Sequence, residues 1–77
     1  MPLYYFDIFN DETVIDPEGI ELPDEAAALQ RAVLETRVLA AESVRKGHLV
    51  GSHRVEVRDA ARKPIGSVRF DEAVAIS

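Results

Sequence analysis

His48 and His53 are the residues of this chain best suited to metal chemistry, five positions apart with Glu42 and Glu56 nearby in sequence. Two imidazoles and a carboxylate can hold a zinc ion. The short H-x-H or H-x-x-x-H spacing that would aim both rings at one point is missing, and so is any cysteine. The expectation is therefore no metal: His48 as a solvated residue past a helix end, His53 as a strand-opening residue with a structural hydrogen bond. Carboxylates are plentiful, with Asp7, Asp11, Glu12, Asp16, Glu18, Glu21, Asp24 and Glu25 crowding the first third of the chain. Acid–base catalysis needs two of them held at different pKa values, one in a low-dielectric pocket. Most fall in turns or at a helix cap, where water keeps them ordinary. Asp7 is the exception, set between Tyr5 and Phe9 in an aromatic run, and is expected on the outward face of a strand. Asp11 to Glu18 lacks the spacing of a calcium loop. Ser43, Ser52, Ser67 and Ser77 lack a nucleophile elbow, and Gly47 and Gly51 are not followed by a helix that would seat a phosphate. No catalytic residue, cofactor-binding residue or metal ligand is assigned, and the chain is not expected to be an enzyme.

The elements that carry these residues are legible from periodicity. Leu3 to Phe9 alternates, with Tyr4, Phe6 and Ile8 on one face and Leu3, Tyr5, Asp7 and Phe9 on the other. Apolar groups on both faces suit a central strand. Asn10-Asp11-Glu12 reads as a hairpin turn, Thr13 to Ile15 as the return strand, and Asp16-Pro17-Glu18-Gly19 as a second turn before Ile20 to Leu22. Asp24 is a good N-cap for a helix from Glu25 to about Lys46, stopped by Gly47. At 100° per residue, Ala26, Leu29, Ala32, Val33, Thr36, Leu39, Ala40, Ser43 and Val44 share a core-facing side. Arg54 to Arg58 alternates with Val55 and Val57 inward, and Ile65 to Phe70 follows as its partner with Pro64 at the start. Asp71 to Ser77 is an apolar tail suited to a last turn or an edge strand. The order is ββαββ: an α+β fold in which one long helix packs on a single antiparallel sheet, first and third strands central. Residues 1–77 make a single domain.

Net charge is −5, against general nucleic-acid affinity, which needs a positive face. The halves differ. Residues 1–44 carry ten acids and two bases; residues 45–70 carry seven bases, Arg45, Lys46, Arg54, Arg58, Arg62, Lys63 and Arg69, against two acids. The two halves either fold against one another and cancel, or offer a polar surface to a partner. Arg54, Glu56, Arg58 and Arg69 would make a basic sheet face without interleaved aromatic residues, unlike an RNA-recognition sheet. No window is long and apolar enough to span a bilayer, and the first residues do not pattern as a signal peptide. With no cysteines in the chain, a cytoplasmic location is expected.

Three motifs, M-P-x-Y-Y-F at residues 1–6, G-x-E-L-P-D at Gly19 to Asp24 and S-H-R-V-E-V at Ser52 to Val57, resemble a bacterial family of short stand-alone proteins classed as a domain of unknown function. The resemblance implies no activity, cofactor or site residue. It does imply a glycine in the turn between the last two strands, where this chain has Asp59-Ala60-Ala61-Arg62-Lys63. The Leu-Pro-Asp segment before an Ala-rich helix is also similar to antitoxins of the HicB type.

A second helical stripe, Ala27, Leu34, Val38 and Ala41, lies opposite the core side, and so small a domain has no second core to cover it. These four are the expected interface. The chain is accordingly expected to be a non-enzymatic protein-interaction module that forms a homodimer and acts through a protein partner. The alternative is a small antitoxin-like regulator whose acidic half masks a basic partner protein.

Overall fold

The computed structural model describes residues 1–74; residues 75–77, the end of the apolar tail, lie outside the description. Strand β1 is Leu3–Phe9, β2 Thr13–Val14, β3 Ile20–Glu21, helix α1 Glu25–Arg45, β4 Arg54–Arg58, β5 Pro64–Arg69 and helix α2 Phe70–Ala73. All pairings are antiparallel, in the order β2-β1-β4-β5, with β3 also on β1. The two long alternating strands are therefore the central ones. Tyr4, Phe6 and Ile8 turn their backbone groups to the same edge of β1. There β3 pairs with Leu3 and Tyr4, and β2 with Ile8 and Phe9, leaving a gap at Phe6.

The caps behave as their residue types dictate. Asp24 accepts the Ala27 amide at 2.8 Å, and Gly47 leaves the helix at φ 91. The helix meets the sheet through Ala28, Ala32, Thr36 and Ala40, one small residue per turn, all buried. Small side chains let the backbone approach closely, while Leu29, Val33 and Leu39 fill the flanks against Phe6, Val55, Val57 and Val68. Thr36 is satisfied locally, donating its hydroxyl to the Ala32 carbonyl at 2.6 Å.

The core-facing side is rotated slightly from the expected one. Ala28 is buried where Ala26 was expected, and Val44 stands 61% exposed. Val44 instead lines an open groove with Ala40, Ala41, Leu49 and Val74. Phe70 also departs from expectation: it opens α2 rather than closing β5, and is fully buried. Its amide donates to the His53 carbonyl at 2.8 Å.

Candidate functional site

The outward sheet face, away from α1, gathers most of the chain's arginines. Register places Tyr5 opposite Arg58, Asp7 opposite Glu56 and Phe9 opposite Arg54 across β1 and β4. Arg54 in turn faces Arg69 on β5. Like charges directly opposite are unfavourable, so both the Asp7–Glu56 and the Arg54–Arg69 pairs need counter-charges. Arg58 serves the first, donating Nε to Asp7 Oδ2 at 3.0 Å and Nη2 to Glu56 Oε1 at 3.2 Å. For the second, Arg54 reaches Glu56 at 3.6 Å and Arg69 reaches Asp71 at 2.8 Å.

Asp7 is fully buried although it points outward. The loop after β2 and the turn after β4 cover it. Arg62, from that turn, donates Nη2 to Asp7 Oδ2 at 2.7 Å, and the Asp16 amide donates to Oδ1 at 3.0 Å. Asp16 fills the gap at the edge of β1, its Oδ2 accepting the Phe6 amide at 3.1 Å where a strand carbonyl would sit. Its Oδ1 accepts the amides of Glu18 and Gly19, both at 3.1 Å. Burial works to raise the Asp16 carboxyl. The amides of Gly19, Phe6 and Glu18 and the Arg62 charge outweigh it and hold the group below its ordinary value of 3.8.

Asp7 Oδ2 accepts from two guanidiniums and Oδ1 from an amide, so the carboxylate is engaged by charge-assisted hydrogen bonds within the chain. It ties four segments together: β1, the loop to β3, β4 and the β4–β5 turn. One expectation is corrected here. Aromatic rings do share the basic face, because β1 supplies them from next door. They are covered, however: Arg54 lies over Phe9 at 4.5 Å from the ring centre and Arg62 over Tyr5 at 4.6 Å. With its four arginines paired to Asp7, Glu56 and Asp71, this face is largely neutralised from within the chain.

The histidines converge on a residue that sequence proximity did not suggest. Asp11, in the β1–β2 turn, faces both: Oδ2 lies 3.5 Å from His48 Nε2 and Oδ1 3.7 Å from His53 Nε2. Both separations exceed a hydrogen bond. Glu56 is occupied by arginines instead. Among the described residues the expected hydrogen bond from the His53 side chain is not made: its buried Nδ1 meets no partner there, and the ring packs edge-on against Phe70 at 5.6 Å. Among the described residues no three His, Cys, Asp or Glu side chains are placed to hold a metal ion.

On the opposite surface of the molecule, α1 turns Leu34 and Val38 to solvent, 57% and 58% exposed. Ala41 is exposed beside them, while Ala27 is half-buried. No helix among the described residues is long and apolar enough to cross a membrane.

The family model described as Domain of unknown function (DUF6894) matches residues 3–71. The chain belongs to that family. No curated protein and no solved structure matches it. In this member of the family the β4–β5 turn is closed by Asp59, whose Oδ1 accepts the amides of Ala61 at 3.0 Å and Lys63 at 2.9 Å. Where the resemblance implied a glycine, Arg62 itself takes the left-handed conformation, with φ 66. That strained backbone aims its side chain at Asp7. The signal for this knot was present in the sequence as a lone acid inside an aromatic strand and two arginines four positions apart, Arg58 and Arg62. What linked them was pairing across 51 and 55 residues, which periodicity does not reveal.

Proposed function

We propose that this chain is a non-enzymatic protein-interaction module that associates with a second copy of itself through the outward stripe of α1. The observation that carries the reading is the exposure of two large aliphatic side chains, Leu34 and Val38, one turn apart on the helix face opposite the core. Burying a side chain of that kind gives about 1.5–3 kcal/mol, which a thin single-layer sheet with one helix cannot supply from within. The sheet face adds indirect support. Its arginines are matched to acids of the same chain, so it offers little net charge to a ligand, and the carboxylate best placed for chemistry is consumed as an anchor.

The antitoxin-like alternative rests on the acidic half. It draws on Glu12, Glu18, Glu21 and Glu25, which form no ion pair among the described residues. It is weakened where Asp7 and Asp11 already meet Arg58, Arg62, His48 and His53 within the chain. Affinity purification from the native cell, run beside light scattering on the pure protein, separates the two. A pure protein of twice the chain mass supports self-association. A monomer that co-purifies stoichiometrically with a small basic protein supports the alternative.

A further inference from the structure

Six residues on the outward side of α1, Ala27, Arg31, Leu34, Val38, Ala41 and Arg45, follow one another at intervals of 4, 3, 4, 3 and 4. That is the spacing of a two-helix seam, in which apolar residues recur every 3.5 positions and helices cross at about 20°. Five of the six are exposed, and Ala27, nearest the helix start, is half-buried. A seam this short and this rich in arginine does not accept an arbitrary helix, and its own order says which partner fits.

The residues are arranged about the level of Thr36. Leu34 and Val38 lie two positions either side, Arg31 and Ala41 five, and Ala27 and Arg45 nine. A second copy running antiparallel across this face sets Leu34 against Val38, Arg31 against Ala41 and Arg45 against Ala27. The two large aliphatic side chains meet each other, each arginine meets an alanine, and no arginine meets another. Glu42 completes the match. It lies on the same flank of the helix as Arg31, about 20° away around the circumference, and in the antiparallel pair the two come within about 1.5 Å of the same height. Arg31, which holds Glu35 through Nε at 2.9 Å, keeps its terminal nitrogens for Glu42 of the second copy. A parallel pair does the reverse: Arg31 and Arg45 each face their own copies, two alanine layers face one another as voids, and the helix dipoles align unfavourably.

We infer that the partner of this face is a second copy of the chain, docked through an antiparallel two-helix seam along α1 with Arg31 bonded to Glu42 across the interface. The inference rests on the self-association proposed above and adds its orientation.

Because the chain has no cysteine, single cysteines report the orientation cleanly. Arg31→Cys and Ala41→Cys both fall at exposed positions, and circular dichroism confirms that each variant is folded. Under mild oxidation, mixing the two variants gives a disulfide-linked dimer, while neither variant links to itself. Light scattering on the unmodified chain gives the dimer mass. Self-linking of Ala41→Cys overturns the antiparallel seam and leaves self-association standing. A dimer by light scattering with no linked species in the mixture places the interface off this seam and overturns the inference. A monomer by light scattering overturns the inference and the proposed function together. A charge swap checks the result without cysteines: Arg31→Glu weakens the dimer, and adding Glu42→Arg in the same chain restores it. Failure of the swap to restore it removes the Arg31–Glu42 bond from the account.

Discussion

Asp7 presents one carboxylate to two guanidiniums at 3.0 and 2.7 Å from a fully buried position. Replacing both charges with apolar groups can be harmless, but removing one member strands the other. Asp7→Ala should therefore cost about 1–3 kcal/mol in urea unfolding, since Arg58 and Arg62, both partly exposed, lose their common acceptor. Arg62 offers a finer test because it pays a backbone strain to reach its partner. Arg62→Gly loses the ion pair and the stack on Tyr5 but relaxes φ 66, whereas Arg62→Ala loses the same contacts and keeps the strain. Both should be less stable than the natural chain, with the alanine variant lower than the glycine variant by about 1 kcal/mol. Equal stability of the two would show that the turn has no left-handed cost. Asp16 supplies a pH dependence of definite sign. Its carboxyl is held below 3.8 in the folded chain, so it stabilises the fold above that value and loses the contribution as pH falls through the lower folded value. The stability gap between the natural chain and Asp16→Asn should be full at neutral pH and shrink on the acid side of 3.8. A gap that stays constant would assign the effect to packing alone.

At the scale of elements, the edge of β1 shows how two short strands are joined. Gly19 turns the chain into β3 with φ 75, and a Cβ placed there would lie 2.9 Å from the Tyr4 carbonyl oxygen. Gly19→Ala should lower stability by about 1–3 kcal/mol in a denaturant titration, with the loss centred on β3 in hydrogen exchange. An unchanged titration would mean that the β3 edge relaxes freely. The elements themselves were readable because each carries its own signal. Asp24 and Gly47 bracket the helix, Arg54 to Arg58 alternates cleanly, and Pro64 marks the start of β5. Errors arose where an element's end depends on what lies beneath it. Val44 looks like a core residue by angle but stands exposed at the rim of a groove with Leu49 and Val74, and Phe70 fits a strand by alternation yet begins a helical turn. The polar knot was legible only in fragments. Alternation places Asp7 on the outward face, where it lies, but its burial comes from Arg62 and the Asp16 loop, which fold over it from distant positions. The histidines were set near Glu42 and Glu56 by sequence distance, and the hairpin turn brought Asp11 to them instead.

For the whole molecule, one helix on one sheet leaves two broad surfaces, and they are finished in opposite ways. The sheet face closes on itself: its acids and bases are matched, and its rings lie beneath guanidiniums. The helix face is left open, with Leu34 and Val38 exposed between arginines and alanines at seam spacing. The unequal charge of the two halves fits the same division. Asp7 meets Arg58 and Arg62 of the C-terminal half within the chain, so part of the asymmetry cancels on folding. Light scattering on the purified protein at high micromolar concentration reads the proposed self-association through α1 without an intermediary. The expected mass is twice the 8.5 kDa of the chain, and the chain mass for Leu34→Glu with Val38→Lys at unchanged helix content. A natural chain that stays monomeric, or a double variant that stays dimeric, would contradict it.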